Sequence, residues 1–404
     1  MKPHTPPIAN APYAWLLDPL STSTFEDEFY ERRHRVVHRQ QPNYFESLLT
    51  FADLDHVLGT HALRFPDISL VRADETAIDA SRFTGPAGVA EPLEVTRLFD
   101  EGATVIFRGL HRRLPQLAAL CVALGQRFGS RIQTNIYLTP PEAQGFKPHW
   151  DTHDVFVMQV SGSKRWSVFE SPIALPLRGQ KCNPDVDRPG RTIDEFDLHA
   201  GDFVYLPRGL MHAARSVDTA SLHITLGLTA FTWADFLADA VSAAALENPA
   251  LRANLPVGFA SGKLTPEETA TLARQHLDLA LDRSFEDVWR RFASEVSAAN
   301  QPLFSDLLTQ RADQHLVNED TVVIRREMAI HSYLSQNECV MCFAGQELRF
   351  PLHVAEAIEF ICANERFTAL ELPGPLDTAG NLTLIRRLAR EGLLRSHHER
   401  SRLK

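Results

Sequence analysis

Residues 148–166 read PHWDTHDVFVMQVSGSKRW, and residues 201–214 read GDFVYLPRGLMHAA. Around them stand RIQTNIYLT (131–139), HDVFVMQV (153–160), KRWSVF (164–169), DFVYLP (202–207) and LHITLGLT (222–229), all rich in Val, Ile, Phe, Tyr or Thr. The pieces between them include TPPEAQG, VSGSK, LHAGD and PRG, which are Pro, Gly and Asp turns. Short β-prone runs with that punctuation predict an antiparallel barrel or sandwich over residues 131–230.

Within this block His149 and Asp151 are two residues apart on an apparent strand, so both side chains leave one face. An imidazole and a carboxylate converging there supply two ligands for a first-row divalent metal. A third is offered by His212, at the end of an apolar strand and a Pro207–Arg208–Gly209 turn. Two His and one carboxylate on one face of an octahedron leave the opposite positions open, as in non-heme Fe(II) oxygenases. A His-x-Asp pair alone carries little weight, since a chain with 17 histidines offers several by chance. Its pairing with GDFVYLPRGLMH in one β-rich block is what separates it from ordinary core or surface histidines.

The flanks read differently. Phe25–Val37 is a charged amphipathic stretch, Phe45–Leu58 has apolar residues at helical spacing, and Phe83–Pro92 reads as a surface loop. Residues 114–128 predict a helix with Leu117, Leu120, Cys121 and Leu124 on one face. Residues 233–310 turn helical again. From about residue 318, strand-like pieces alternate with helices, as in a small helix-plus-wing domain. The expected division is 1–232 for the catalytic barrel with its helical lead-in, 233–315 for a helical module and 316–404 for the terminal domain.

With 404 residues the chain exceeds one ordinary domain. Hydrophobic residues make up 44% and charged residues 23%, the balance of a soluble globular protein rather than a disordered or collagen-like one. No apolar run is long enough to span a bilayer. The opening MKPHTPPIANAPYAWLLDPL lacks a signal-peptide layout, and five cysteines form no disulfide framework, so a cytoplasmic location is expected. A formal charge of −10 disfavours generic nucleic-acid binding and suits a basic partner.

The block NIYLTPPEAQGFKPHWDTHDVFVMQVSGSKRW, with GDFVYLPRGLMHAARS and SLHITLGL downstream, resembles the JmjC-type ribosomal oxygenases. That resemblance implies an α+β chain built on a double-stranded β-helix (a cupin or JmjC jelly roll). It further implies a helical N-terminal flank, a helical dimerisation module and a winged-helix-like C-terminal domain. It implies Fe(II) held by His149, Asp151 and His212, with 2-oxoglutarate and O2 as co-substrates. Lys164 would bind the far carboxylate of 2-oxoglutarate, and Asn135, Tyr137 and Thr225 would line the same pocket. The implied partners are a ribosomal protein, hydroxylated on a His or Arg side chain, and a second copy of the chain. The physical chemistry of the pocket agrees, because a buried carboxylate needs a cation and further donors.

Alternation along Lys164–Arg165–Trp166 should send Arg165 outward and Trp166 inward. His153 is a donor supporting the metal ligands, a substrate contact at the barrel mouth or a packed histidine, and His223 reads as a core or supporting residue rather than a fourth ligand. Asp154 and Gln159 are undecided. Cys339 and Cys342 form a CxxC with no partner pair, which favours buried structural cysteines over zinc. The basic stretch Ile385–Lys404 reads as a helix packing its leucines inward, structural or substrate-docking rather than DNA-reading. Two rival functions stay open on residue type alone. One is a same-fold oxygenase acting on a small molecule, a natural-product peptide or a methylated lysine. The other is a non-enzymatic cupin-like regulatory binding protein.

Overall fold

A computed structural model describes residues 11–72, 77–282, 285–335 and 337–396. The described chain divides into two compact units, 1–230 with 300–309, and 231–299 with 310–404.

The first unit opens with short helices at Pro12–Leu17 and Thr22–Glu28 and a third at Phe51–Thr60, started by a Thr50/Asp53 capping box. Its strands are β1 (Arg35–Val37), β2 (Ile68–Val71), β3 (Thr104–Arg108), β4 (Arg131–Thr139), β5 (Asp154–Ser161), β6 (Ser163–Phe169), β7 (Thr192–His199), β8 (Phe203–Leu206), β9 (Met211–Ser216) and β10 (Ser221–Thr229). They form two antiparallel sheets, ordered β1-β8-β5-β10-β4-β3-β2 and β7-β6-β9. This is the jelly-roll double-stranded β-helix; β4, β5, β6, β8 and β10 are the five runs read from sequence, while β7 and β9 are strands the sequence reading did not mark. The amphipathic stretch Phe25–Val37 is not one helix: its last three residues form the edge strand β1, paired with β8.

Alternation along β10 explains how one sheet serves two faces. Leu222, Ile224, Leu226 and Leu228 are buried in the large core, which also takes Phe156 and Met158 of β5 and Leu117, Leu120, Cys121 and Leu124 of the helix Pro115–Phe128. Each such side chain contributes about 1.5–3 kcal/mol by leaving water. The opposite face of the large sheet meets the small one, where Val155, Val157, Val204 and Leu206 pack against Trp166, Val168 and Leu198. His223 and Thr225 point to this second face, between the sheets.

Residues 300–309 return to the first unit. The Asn300 side-chain amide donates to the Ser130 carbonyl (2.8 Å), and its oxygen accepts from the Ile132 amide (3.2 Å). This bracket fixes the start of β4. It rests against Gly125, where an added Cβ would lie 2.3 Å from Asn300 Cγ.

The second unit contains helices at Trp233–Glu247, Pro266–Leu281 and Glu286–Ala299, then two three-stranded antiparallel sheets with helices at Ala355–Ala363 and Thr378–Arg390. The last helix buries Leu384, Ile385 and Leu388, as its sequence pattern predicts. Residues 397–404 of the basic tail lie outside the described residues. Cys339 and Cys342 are buried on the strand Glu338–Phe343.

Candidate metal centre

His149 and His212 form an isolated antiparallel bridge between the segment before β5 and the start of β9. The amide of each bonds the carbonyl of the other, at 3.0 and 2.8 Å, and their ring centroids lie 4.7 Å apart. Asp151 joins through the Gly209 amide, which donates to its carbonyl at 2.9 Å. Regular strand β5 begins only at Asp154, so the His-x-Asp pair sits on a short irregular lead-in rather than a strand. The bridge gives that lead-in its local extended geometry. One donor atom from each of His149, Asp151 and His212 lies within 4.8 Å of the others.

The tautomers follow from the hydrogen bonds. His149 Nδ1 faces the Lys147 carbonyl at 2.9 Å, and His212 Nδ1 faces the Leu210 carbonyl at 2.9 Å. A carbonyl only accepts, so both Nδ1 atoms carry protons and both Nε2 lone pairs are left for a metal. Burial, with His149 alongside, lowers the His212 imidazole to about 4 and keeps it neutral. Burial opposes charge on Asp151, but His153, His149 and His212 outweigh it and hold the carboxyl below its ordinary range. Two imidazoles and one carboxylate suit Fe(II), Mn(II) or Co(II).

The triad borders two cavities. The inner one, about 250 Å³, lies between the sheets and is lined by Asn135, Tyr137, Lys164, Trp166, His223 and Thr225 among others. Register explains the gathering: β10 sets Thr225 opposite Asn135 and His223 opposite Tyr137, while β6 sets Trp166 opposite Ala214 and Val168 opposite His212. Lys164 and Trp166 are buried and face the cavity, while Arg165 points out to Asp197 at 2.8 Å. Burial alone drops the Lys164 ammonium to about 7. A buried lysine whose charge no neighbouring carboxylate offsets, facing a cavity beside a metal-ligand triad, fits a dicarboxylate such as 2-oxoglutarate. Burial raises the Tyr137 hydroxyl to about 12, so it stays a donor.

The outer cavity, about 340 Å³, is lined by Arg72, Phe146, Lys147, Trp150, His153 and Lys181 among others, and shares His149 and Asp151 with the inner one. His153 borders both and packs over Gly227, where an added Cβ would lie 2.6 Å from its ring. Phe146, Thr104, Arg72 and Lys181 had no local sequence signal, because they reach the cavities from loops or from distant strands. Asp154 and Gln159 lie away from the cavities. Asp154 accepts from Tyr205 (2.6 Å) and Arg208 (3.0 Å), and Arg208 also pairs with Glu31. Gln159 donates to Ser221 and to the Ser161 carbonyl. Cys339 and Cys342 join no group of potential metal ligands among the described residues.

Comparison with known proteins agrees with this geometry. Residues 111–236 match the JmjC domain family. The Drosophila yakuba bifunctional lysine-specific demethylase and histidyl-hydroxylase NO66 is 36% identical over 219 residues, covering 53% of this chain and 32% of that protein. Ribosomal oxygenase 1 of Rattus norvegicus is 34% identical over 258 residues, covering 61% of this chain and 42% of that protein. The chain thus spans about a third of the length of the NO66 relatives it matches. In structure it is similar to YcfD, a ribosomal oxygenase from Escherichia coli solved with cobalt and succinic acid. The TM-score is 0.57 at 18% identity, over 94% of this chain and 99% of that one, a likeness of fold. The JmjC match spans the stretch that contains His149, Asp151 and His212, so residues 111–236 are similar to the JmjC domain family, and the chain shares its fold with a solved ribosomal oxygenase.

Proposed function

We propose that this protein is an Fe(II)- and 2-oxoglutarate-dependent oxygenase that hydroxylates a histidine or arginine side chain of a ribosomal protein. The observation that carries it is the triad of His149, Asp151 and His212 between two cavities, the inner one holding the unneutralised Lys164. Iron with 2-oxoglutarate and O2 would supply the oxidising power that places one oxygen atom on a substrate C–H bond, the other leaving in succinate. The chain's own residues orient and exclude. His149, Asp151 and His212 would hold the metal. Lys164, with Asn135, Tyr137 and Thr225, would hold the far end of the co-substrate. Val155, Val157 and Trp166 keep water from the inner wall.

The outer cavity would admit the substrate side chain from solvent, against Phe146, Trp150 and His153. Names of relatives that include ribosomal oxygenase and histidyl-hydroxylase support the substrate class, as does the net charge of −10 toward a basic ribosomal segment. Homodimerisation through residues 233–315 is supported by the exposed Trp233, Leu237 and Leu246 of the helix Trp233–Glu247. Among the described residues no helix is long and apolar enough to cross a membrane. A cytoplasmic location belongs to the same proposal. The test is incubation with Fe(II), ascorbate, 2-oxoglutarate and ribosomal extract, followed by peptide mass spectrometry. A histidine or arginine peptide gaining one oxygen atom supports the reading. A lysine losing a methyl group would reassign the substrate, and absence of succinate would end it.

A further inference from the structure

His223 is a buried histidine that the protein leaves unsatisfied. The residue is 4% exposed and lies on the inner cavity wall. It stacks on Tyr137, with centroids 4.8 Å apart and planes 5° from parallel, and meets Trp166 edge-on at 6.2 Å. Its Nδ1 is fully buried and has no hydrogen-bond partner among the described residues. A phenylalanine would make the same stack without stranding a polar nitrogen, so packing alone does not account for an imidazole here.

The protonation state follows from the surroundings. Burial, then the nearby Lys164 ammonium, pushes the imidazole well below its ordinary range, so it is neutral. A neutral imidazole carries one proton. Placed on Nδ1 it would be a buried donor with nothing to bond, the costlier arrangement, whereas on Nε2 it leaves only an unused lone pair behind. The Nε2–H tautomer presents a donor on the wall that also carries Lys164.

We propose that His223 is a co-substrate-binding residue, donating from Nε2–H to the far carboxylate of 2-oxoglutarate beside Lys164. This rests on the oxygenase reading above and adds a further uncharged donor to the carboxylate site beside Lys164, Asn135, Tyr137 and Thr225. One cation and one neutral donor satisfy two oxygens without setting two positive charges side by side in a closed pocket.

The test is calorimetric titration of 2-oxoglutarate into the Mn(II)-loaded protein, Mn(II) serving as a redox-silent metal. His223→Phe keeps the stack and removes the donor, and should weaken 2-oxoglutarate binding about tenfold or more. His223→Gln should recover part of that loss, and Mn(II) affinity without 2-oxoglutarate should stay at the wild-type value in both. Wild-type 2-oxoglutarate affinity in His223→Phe, or a parallel loss of Mn(II), overturns the inference. If neither variant folds, nitrogen-15 spectra of the Zn(II)-loaded wild type decide: an Nε2–H tautomer whose resonance moves with 2-oxoglutarate supports it. An Nδ1–H tautomer, or no response, overturns it. Absence of any 2-oxoglutarate binding to wild type removes the oxygenase reading itself. Equal binding by wild type and His223→Phe removes only the role of His223.

Discussion

His149 and His212, 63 residues apart in sequence (212 − 149), are direct antiparallel partners whose amides and carbonyls bond each other at 3.0 and 2.8 Å. Opposed residues in such a pair send their side chains to the same face, so the backbone itself sets the spacing of two metal ligands. Each ring is then locked by its own Nδ1–H bond to the carbonyl two residues before it. The triad is therefore preorganised, and its substitutions should act on the metal rather than on the fold.

His149→Ala, Asp151→Ala and His212→Ala should each lower Fe(II) or Co(II) affinity beyond the roughly 100-fold that loss of a supporting residue brings. Succinate formation should disappear with it. Thermal unfolding without metal should stay close to wild type, because the bridge uses backbone groups. Full turnover in any of the three would contradict the assignment.

Lys164 makes binding of 2-oxoglutarate proton-linked. Burial holds the free ammonium at about 7, and a bound carboxylate will raise it. Affinity should be greatest below pH 7 and fall by up to about tenfold per unit as pH rises through that value. Above it, binding takes up close to one proton, which calorimetry in buffers of different ionisation heat will register. Lys164→Met should lose both the affinity and the proton uptake. Without co-substrate the sign concerns stability: an unfolded lysine titrates near about 10.4, so the unfolded chain binds more protons between the two values and stability rises with pH across that window.

The turn that delivers Lys164 depends on Gly162. Its φ is +66°, and an added Cβ would lie 2.1 Å from the Ala220 carbonyl oxygen. Gly162→Ala should cost roughly 1–3 kcal/mol from backbone conformation alone, and more from the collision. Denaturant melts will measure it, and a neutral result would mean that the β5–β6 turn and the Ala220 loop separate easily.

Asp154 and Arg208 tie the first residue of β5 to the turn before His212, with Tyr205 and Glu31 completing the network. Asp154→Ala leaves the Tyr205 hydroxyl without its acceptor and Arg208 with Glu31 as its remaining carboxylate partner, and should cost about 1–3 kcal/mol. Because both anchored segments carry metal ligands, Co(II) affinity should fall as well, within the tenfold to hundredfold range of supporting residues. Unchanged affinity would show that the network serves folding alone.

Strands β4, β5, β6, β8 and β10 were legible because each is a β-rich run closed by a turn, and alternation placed Lys164 and Trp166 inward and Arg165 outward; the acidic β7 (TIDEFDLH) and the short β9 (MHAARS) carry no such run. The triad was legible because a His-x-Asp and a distant His share one β block. Asp154 shows where that reading stops: its position beside the triad gives no hint that its partners are Tyr205, Arg208 and Glu31, each brought by tertiary folding. Arg72 and Lys181 were invisible for the same reason, since loop side chains gain a common wall only after the sheets close. His223 was visible as a residue, but its unpaired nitrogen is a property of the packed pocket.

The Asn300 bracket bears on how the protein can be cut. A polypeptide ending at residue 232 would keep every strand of the jelly roll yet lose the side chain that caps Ser130 and Ile132. The start of β4 would fray beside the apolar notch at Gly125, and β4 carries Asn135 and Tyr137. A minimal fragment therefore has to retain the segment Asn300–Thr309, which belongs to the first unit. Swapping the intervening helices for a short linker, with Asn300 kept, is the truncation that preserves the pocket.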